Sequence, residues 1–468
     1  MTASRRAFIA SLSAGAVAGA RTLFAQGHEA GPKSWTTTGL KPWATADVAQ
    51  PFRAGMSIDA DALRARIEGL SVFGRPAGGS FAEGVSRVAY TDADVEGRRY
   101  VMDLLRAAGL SPRIDPAGNI FASRPGTEAT LAPILFGSHI DSVPSGGNFD
   151  GDLGTLAAVG VIDTLNRAGV RTRHPLEVAV WSAEEGVAFN RGLSGSRIVA
   201  GDIAPEHMQQ VWNGVRRAEA IEKIGGDPSR IMEARRDKGT WHSYLELHIE
   251  QGGTLERTQT SIGVVQGIVA IARYEAKITG FANHAGTTPM GERQDAMLAA
   301  AHLTIAVREA VTRRPGRQVG TVGKIDVAPN APNVVPGAAT LIIELRDLST
   351  ATLDAIADEI RGRAAVIAAE TKTSIRITPA SSNPPAFADT AVQDVVERAA
   401  SALNLSSTRM PSGAGHDAQM MAQLAPMGMI FVPSVGGISH SPKELTSWAD
   451  CANGANVLLQ SVLVLDRS

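Results

Sequence analysis

A regular pattern of apolar positions begins after residue 130. Short apolar runs at 132–136 and 176–181 are each followed by polar residues, which is typical of buried strands with polar carboxyl ends. Residues 244–249 alternate apolar and charged positions and predict a third strand. Between the first two runs, apolar residues recur at helical spacing over 153–165, and Gly169 lies where a helix C-cap belongs. This alternation predicts an α/β fold with a mostly parallel central sheet.

The pattern changes over residues 262–382, where two long helical segments are interleaved with four strand-like segments. In order, the expected elements are a strand at 268–278, a helix at 294–313, strands at 320–327 and 338–345, a helix at 352–369 and a strand at 374–377. This βαββαβ order is that of the ferredoxin-like unit. We therefore predict an inserted α+β domain at 262–382 that divides a larger domain into parts 56–261 and 383–468.

The N-terminus differs from the rest of the chain. Arg5 and Arg6 precede an uncharged stretch rich in alanine and glycine, and a small residue, Ala25, follows it. This pattern resembles a twin-arginine export signal over residues 1–25. We expect a periplasmic protein with a linker at 26–55. The alternative is a loose basic terminus that leads into a surface helix.

Composition excludes several classes of protein. The 468 residues are 44% hydrophobic and 20% charged, near the average of soluble globular proteins, so neither disorder nor a multi-span membrane protein is indicated. The formal net charge is -2 and there is no long basic run, so the electrostatic requirement of nucleic-acid binding is missing. The single cysteine, Cys451, cannot form an intrachain disulfide. We expect a small-molecule partner.

Several possible metal ligands follow the apolar runs or lie in glycine-rich turns. Taken singly, each has an ordinary alternative, because a lone histidine is more often structural and a Glu-Glu pair in a loop is usually solvated. An isolated buried charge, however, costs several kcal/mol, and a metal would satisfy the whole set at once. Imidazoles with carboxylates suit Zn²⁺, Mn²⁺, Co²⁺ or Ni²⁺. The candidates are His139, Asp150, Glu184, Glu185, His248 and His440.

Seven spaced motifs carry a resemblance to a known family. They are GSHIDSVPSGGNFDG, WSAEEGVAFNRGLSGSR, ELHIEQG, HAGTTPM followed by RQDA, APNVVPG, SGAGHDA and GISHSPKE, and they run in order from residue 137 to 444. The sequence resembles the metallo-amidohydrolase branch of the M20 peptidase family. That branch contains N-carbamoyl-L-amino acid hydrolases, allantoate amidohydrolases and β-ureidopropionases.

The resemblance implies a centre of two divalent metal ions per subunit, Zn²⁺ first among the candidates. His139, Asp150 and His248 would hold one ion. The same Asp150 would bridge to the second ion, which Glu185 and His440 would also hold.

The resemblance also implies the acid-base group. It leaves Glu184 as the base that takes the proton of the attacking water. Asp141 can accept the ring hydrogen that a metal-bound His139 leaves free. The alternative for Asp141 is to cap the following turn.

Further residues would bind substrate. The resemblance makes His284 a donor to the carbonyl oxygen in the transition state, and its alternative is to stabilise a turn. Asn333 and Arg346 would bind a substrate carboxylate, joined by Gln251 and Arg273. An arginine fork can make two parallel hydrogen bonds to a carboxylate. The alternative for Arg346 is an ion pair with a neighbouring carboxylate, Asp347 or Glu344.

The expected reaction is hydrolysis of the carbamoyl C–N bond of an N-carbamoyl-L-amino acid to the amino acid, ammonia and CO2. His248 stands where peptide-cleaving members usually have a carboxylate, which favours a ureido substrate. Allantoate amidohydrolase and β-ureidopropionase activities are alternatives, followed by an aminoacylase, a dipeptidase and a non-catalytic periplasmic binding protein. Because the substrate-binding residues lie on a different domain from the metals, productive binding should require the inserted domain to close over the larger, catalytic domain as a lid. The resemblance further implies a homodimer formed through the inserted domain, in which His284 can reach the active site of the neighbouring subunit, so either subunit could supply it.

Overall fold

The computed structural model describes residues 56–468, so the predicted signal at 1–25 and linker at 26–55 lie outside the described residues. The strands are β1 Arg113–Ile114, β2 Ile120–Arg124, β3 Ile134–His139, β4 Leu176–Trp181, β5 Val211–Trp212, β6 Val215–Arg216, β7 Ser243–Ile249, β8 Ile262–Ile268, β9 Ala270–Thr279, β10 Asn283–His284, β11 Val319–Ala328, β12 Val334–Val335, β13 Ala338–Asp347, β14 Ser374–Asn383, β15 Ala386–Phe387, β16 Ser407–Ser412 and β17 Met427–Val432. The helices are α1 Ala60–Leu70, α2 Asp92–Ala107, α3 Asp152–Arg167, α4 Ser194–Ala200, α5 Arg217–Lys223, α6 Thr254–Arg257, α7 Ala296–Thr312, α8 Thr350–Thr371, α9 Thr390–Ala402, α10 Ala418–Met421 and α11 Trp448–Leu465. None of these helices is long and apolar enough to cross a membrane.

The larger sheet has parallel strands at its centre and antiparallel strands toward its edges. Its path is β1-β2-β4-β3-β7-β17-β8-β15, with β16 paired to β8. The pairings β4-β3, β3-β7 and β7-β17 are parallel. Every residue of these four strands is buried, as expected of parallel strands covered on both faces. The predicted α/β class and mostly parallel central sheet are confirmed.

Helix α3 connects the first two central strands. It is buried along most of its length, and its start at Asp152 directly follows the turn that holds Asp150. Because β3 runs into this turn at its carboxyl end, the connection brings polar residues of the turn to the carboxyl edge of the sheet.

A second, four-stranded antiparallel sheet has the order β11-β13-β9-β14. Together with α7 and α8 it follows the predicted βαββαβ sequence of elements. Its two helices begin at side-chain caps, where Asp295 accepts hydrogen bonds from the N–H groups of Met297 and Leu298, and Ser349 from that of Thr352. A hydrophobic core drawn only from residues 270–377 fills the space between this sheet and its helices.

One predicted boundary needs correction. The inserted domain was expected to begin at 262, but β8 (Ile262–Ile268) pairs with β17 and β16 of the larger sheet. The four-stranded sheet begins only at Ala270, so β8 belongs to the larger part. Only Val269 separates β8 from β9, and one continuous apolar run cannot reveal in which sheet each half pairs.

Candidate active site

The predicted metal ligands meet at the carboxyl edge of the larger sheet. His139 is the last residue of β3, and His248 lies one residue before the end of β7. Glu185 follows β4, and His440 follows β17. These four strands are neighbours in the parallel centre of the sheet, where ligands of open α/β sheets bind.

The first group of possible ligands comprises His139, Asp150 and His248, all buried. Nε2 of His248 lies 3.1 Å from Oδ1 of Asp150, and Nε2 of His139 lies 3.4 Å from the same oxygen. The other nitrogen of His248, Nδ1, lies 2.9 Å from the carbonyl oxygen of Ile249 and can donate to it. That bond makes Nε2 of His248 the acceptor nitrogen, as a metal ligand requires. Nε2 faces Asp150 and accepts the N–H of Gly151 at 3.3 Å.

The second group comprises Asp150, Glu185 and His440. Nε2 of His440 lies 3.4 Å from Oδ2 of Asp150 and 3.2 Å from Oε2 of Glu185. Each oxygen of the Asp150 carboxylate therefore faces a different ligand group. This is the arrangement that a bridging carboxylate between two ions requires.

The donor set fits a pair of divalent metal ions. Nε2 of His139 is buried and makes no hydrogen bond with any described residue, which leaves an unsatisfied polar atom inside the cluster. Two imidazoles with a carboxylate in one group, and two carboxylates with an imidazole in the other, are ligands that zinc and manganese accept.

Neighbouring carboxylates raise the pKa values of two histidines in the ligand groups, His440 and His139. Hydrogen bonds to Asp150 and then to Glu185 raise the pKa of His440 to about 11. Burial opposes the charged form of His139, but the carboxylates of Glu184 and Asp150 outweigh it and raise the pKa of His139 well above its ordinary value. Without metal, protons therefore take the positions that cations would hold, and metal binding should release them.

Glu184 and Glu185 are adjacent in sequence but differ in their neighbours. Glu185 belongs to the second ligand group, whereas Glu184 belongs to neither of the groups that contain Asp150. Oε2 of Glu184 lies 3.8 Å from Nε2 of His139, so its carboxylate faces the cluster without joining it. Burial raises the pKa of Glu184 well above its ordinary value, against the attraction of His139.

Asp141 supports the Glu184–Glu185 pair with its carboxylate. Its Oδ1 accepts the N–H of Glu184 at 3.0 Å, and its Oδ2 accepts the N–H of Glu185 at 3.2 Å. Toward His139 it is the backbone carbonyl of Asp141 that lies closest to Nδ1, at 3.0 Å, while the carboxylate is 3.7 Å away. The residue lies beside His139 as predicted, but the atom that contacts the ring differs.

Three further side chains hold Asp150, and two of them were given no role from the sequence. Gln251, predicted as a substrate binder, donates to Oδ2 of Asp150 at 2.6 Å. The hydroxyl of Ser439 lies 3.0 Å from the same oxygen and 2.8 Å from Oε2 of Glu444, and it donates its one proton to either of them. Glu444 in turn accepts the N–H of Asp150 at 3.1 Å. The motif GISHSPKE contains both Ser439 and Glu444, and their polarity beside His440 was the signal that could have identified them.

Two glycines make room for this packing. A Cβ on Gly151, which has φ +66°, would lie 2.5 Å from the ring of His139. A Cβ on Gly147 would lie 2.0 Å from Oε1 of Glu444. At both glycines the backbone therefore approaches side chains of the site closely. Gln251 and His440 also have positive φ, of 57° and 54°, a strained conformation that is concentrated at functional sites.

A buried polar wall lies behind His248. Glu246 accepts hydrogen bonds from Ser138 at 2.7 Å, from Tyr244 at 3.1 Å and from the N–H of Ala418 at 3.0 Å. The ring of His416 packs against that of His248 with centroids 4.5 Å apart. Although Glu246, His248 and His416 form a third group of possible ligands, the Glu246 carboxylate is already satisfied by these donors.

His284 and Asn333 lie together on the smaller part of the fold. Strand β10 pairs with β12, and the carbonyl of Asn333 accepts the N–H of Ala285 at 2.9 Å. Nδ1 of His284 accepts the N–H of Gly286 at 3.0 Å, so the turn-stabilising alternative for His284 is present. The same bond leaves Nε2 of a neutral ring to carry the proton. Among residues 56–468, no recorded hydrogen bond or ion pair joins His284 or Asn333 to the metal ligands.

Arg346 and Arg273 meet at a shared carboxylate. Arg346 donates to Oε1 of Glu344 through Nε at 2.8 Å, and Arg273 donates to Oε2 through Nε at 2.6 Å. The predicted alternative for Arg346, a pair with Glu344, is therefore present. Nη1 of Arg346 also donates to the carbonyl of Gly413 at 2.7 Å, in the loop that leads to His416. This contact links the smaller sheet to the loop that carries His416, whose ring packs against that of His248.

A parallel sheet with two groups of histidine and carboxylate side chains at its carboxyl edge is an arrangement that a metal-dependent enzyme can use. The chain belongs to Peptidase family M20/M25/M40, whose sequence profile matches residues 135–463. The predicted family and hydrolase class are confirmed.

Similar proteins extend over most of the chain. A Geobacillus stearothermophilus protein named "N-carbamoyl-L-amino acid amidohydrolase" is 40% identical over 380 residues, which are 81% of this chain and 93% of that protein. An Arabidopsis thaliana "Ureidoglycolate hydrolase" is 38% identical over 414 residues, 86% of each chain. The crystal structure of an amidase of the hydantoinase/carbamoylase family from Burkholderia multivorans has a TM-score of 0.81 at 34% identity and covers 88% of this chain and 99% of that one.

Proposed function

We propose that the protein hydrolyses the carbamoyl C–N bond of N-carbamoyl-L-amino acids to the amino acid, ammonia and CO2. The observation that carries this proposal is the Asp150 carboxylate shared by two ligand groups, with the carboxylate of Glu184 beside them and outside both. The relative named as an N-carbamoyl-L-amino acid amidohydrolase supports the choice of substrate. Water adds to the ureido carbonyl, the amino acid nitrogen leaves with a proton, and the remaining carbamate breaks down to ammonia and CO2.

Two divalent metal ions, held by the groups that share Asp150, would supply Lewis-acid chemistry that polarises a carbonyl and makes water more acidic. Glu184 takes the proton of the attacking water and passes it to the leaving nitrogen, for which its buried carboxylate outside the ligand groups is suited. His284, with its proton on Nε2, donates to the carbonyl oxygen as negative charge develops there. Closure of the smaller part would bring His284 to the reacting group. Zn²⁺ is our first choice of ion, with Mn²⁺, Co²⁺ and Ni²⁺ as competitors.

A second candidate reaction belongs to the same ureido class. The Arabidopsis relative carries the name ureidoglycolate hydrolase, so a short ureido acid is a reasonable substrate. Allantoate keeps the same spacing between carboxylate and ureido group but carries a second ureido group, whereas N-carbamoyl-β-alanine has one more carbon between the two. A panel of these acids, assayed for released ammonia, distinguishes the candidates.

Arg346 provides a test of the substrate class. If Arg346 binds the substrate carboxylate, Arg346→Ala should lower kcat/KM for an N-carbamoyl-L-amino acid by about 10²-fold or more. The reason is that charge-assisted hydrogen bonds are worth about 1.5–3 kcal/mol each. The corresponding N-carbamoyl amine, which has no carboxylate, should be a poor substrate whose kcat/KM hardly changes. Arg361→Ala, which removes an exposed ion pair with Asp358 in α8, is the matched control. Equal rates of native enzyme on acid and amine would contradict the proposed substrate class.

The smaller part has apolar surface suited to a homodimer. Leu298 and Ile305 of α7 are exposed large hydrophobic residues, as are Val319 and Ile325 on β11, an edge strand of the smaller sheet. Exposed apolar residues and an unpaired edge favour association with a second copy. Light scattering should give the mass of two chains, and a Leu298→Asp/Ile305→Asp variant should give the mass of one.

We also propose export by the twin-arginine route, on the strength of the sequence at Arg5 and Arg6. Replacing both arginines with lysine should leave the folded precursor in the cytoplasm, whereas the native chain should be processed and appear in the periplasm. Fractionation with an antibody against the folded part distinguishes the two. Undiminished export of the lysine variant would contradict this route.

A further inference from the structure

Glu344 lies between the two arginines that the sequence assigns to substrate binding. Its neighbour across the sheet is Arg273, since β13 and β9 pair with Glu344 opposite Arg273. Arg346 follows two positions later on β13 and therefore points to the same face of the sheet. The two oxygens of Glu344 are divided between them, Oε1 to Arg346 and Oε2 to Arg273.

The contacts of Arg346 leave a defined part of its guanidinium free. A guanidinium has five N–H donors, one on Nε and two on each terminal nitrogen. Glu344 takes the Nε donor at 2.8 Å and lies 2.7 Å from Nη2, and the carbonyl of Gly413 takes one donor of Nη1 at 2.7 Å. Among the contacts within residues 56–468, one donor on Nη1 and one on Nη2 remain. A carboxylate binds to such a pair of terminal donors through two hydrogen bonds.

Glu344 also sets the net charge around Arg346 and Arg273. Burial would raise the pKa of Glu344, but the hydrogen bonds and charges of Arg346 and Arg273 outweigh it and lower the pKa, so Glu344 is ionised. Two arginines and one carboxylate leave a single net positive charge, which one substrate carboxylate neutralises. Without Glu344, two like charges on adjacent strands would repel and Arg346 would lose its fixed orientation.

We propose that Glu344 is a positioning and specificity-determining residue, which orients Arg346 for a substrate carboxylate and adjusts the subsite to a single negative charge. This inference rests on the proposed function, because it assumes that Arg346 binds the carboxylate. Glu344 touches neither the reacting atoms nor the metal ligands and acts through Arg346.

A double-mutant cycle tests this role. Glu344→Gln should lower kcat/KM for N-carbamoyl-L-alanine by about 10-fold, mainly through KM, and leave the N-carbamoyl amine unchanged. It should also raise the preference for N-carbamoyl-L-aspartate over N-carbamoyl-L-alanine, because the subsite gains a positive charge. In an Arg346→Ala background, Glu344→Gln should cause no further loss. Glu309→Gln removes a carboxylate that likewise pairs with two arginines, Arg313 and Arg363, and serves as the matched control.

The outcomes distinguish the positioning role of Glu344 from the carboxylate-binding role of Arg346. If Arg346→Ala impairs the acid substrate but the Glu344 variants do not, or if their losses add independently, the positioning role is wrong and the proposed function stands. A gain of activity in Glu344→Gln would also overturn it, since Glu344 would then compete with substrate. If Arg346→Ala has no effect on the acid, the carboxylate-binding part of the proposed function fails first. Thermal unfolding of each variant excludes general misfolding.

Discussion

Glu184→Gln should lower kcat by roughly 10²–10⁴-fold while the protein keeps its full content of metal. This loss is the usual contribution of a positioned acid-base group, and the amide can no longer take a proton from water. The carboxylate of Glu184 lies outside both groups that contain Asp150, so the ligand sets remain intact in this variant. Rates of ammonia release and metal content by mass spectrometry, measured on the same preparation, test the expectation.

Glu185→Gln is the matched control, since it makes the same chemical change one residue further along. Glu185 belongs to the second ligand group and lies 3.2 Å from Nε2 of His440, so this variant should lose metal. Added metal should restore part of its activity and should restore none to Glu184→Gln. Equal loss of metal in both variants would refute the division of roles between the two residues.

Asp150→Asn should remove both metal ions and reduce activity to background. Its carboxylate contributes an oxygen to each group, and its replacement leaves His139 and His248 in one group and Glu185 and His440 in the other. Each remainder has two ligands, fewer than the three that catalytic zinc sites use. Metal content after dialysis is the measurement.

The control for this variant is Asp163→Asn on α3. Asp163 pairs with Arg66 away from the ligand groups, so the variant should keep its metal and its rate. Retention of two tightly bound ions by Asp150→Asn would show that this carboxylate does not bridge.

The ligands themselves could be predicted from the sequence because they lie at the ends of apolar runs or in glycine-rich turns, and the family resemblance divided them between two ions. The carboxyl ends of parallel strands meet at one edge of a sheet, so His139 and Glu185 were expected to lie close together. The glycine-rich turn around Asp150 gave a second signal, since glycine lets the backbone approach its neighbours closely. The βαββαβ order could also be predicted, because the spacing of apolar residues differs clearly between helices and strands over long segments.

The supporting contacts could not be predicted from the sequence in the same way. Glu444 reaches the N–H of Asp150 across 294 residues of sequence, and no periodic pattern encodes a contact of that range. The carboxylate of Asp141 could bond either the ring of His139 or the backbone at Glu184, and only the path of the chain after β4 decides between them. The pairing of β8 with the larger sheet depends on its partner strand and its register, and an apolar run in the sequence specifies neither of them.

The central claim is that hydrolysis of a carbamoyl amino acid requires two metal ions at the groups that share Asp150. The most direct test is a titration of chelator-treated, metal-free protein with Zn²⁺ or Mn²⁺, with ammonia released from an N-carbamoyl-L-amino acid as the readout. We predict no activity in the metal-free protein and a rise that reaches its plateau near two ions per chain. Full activity without metal, or a plateau at one ion per chain, would contradict the claim.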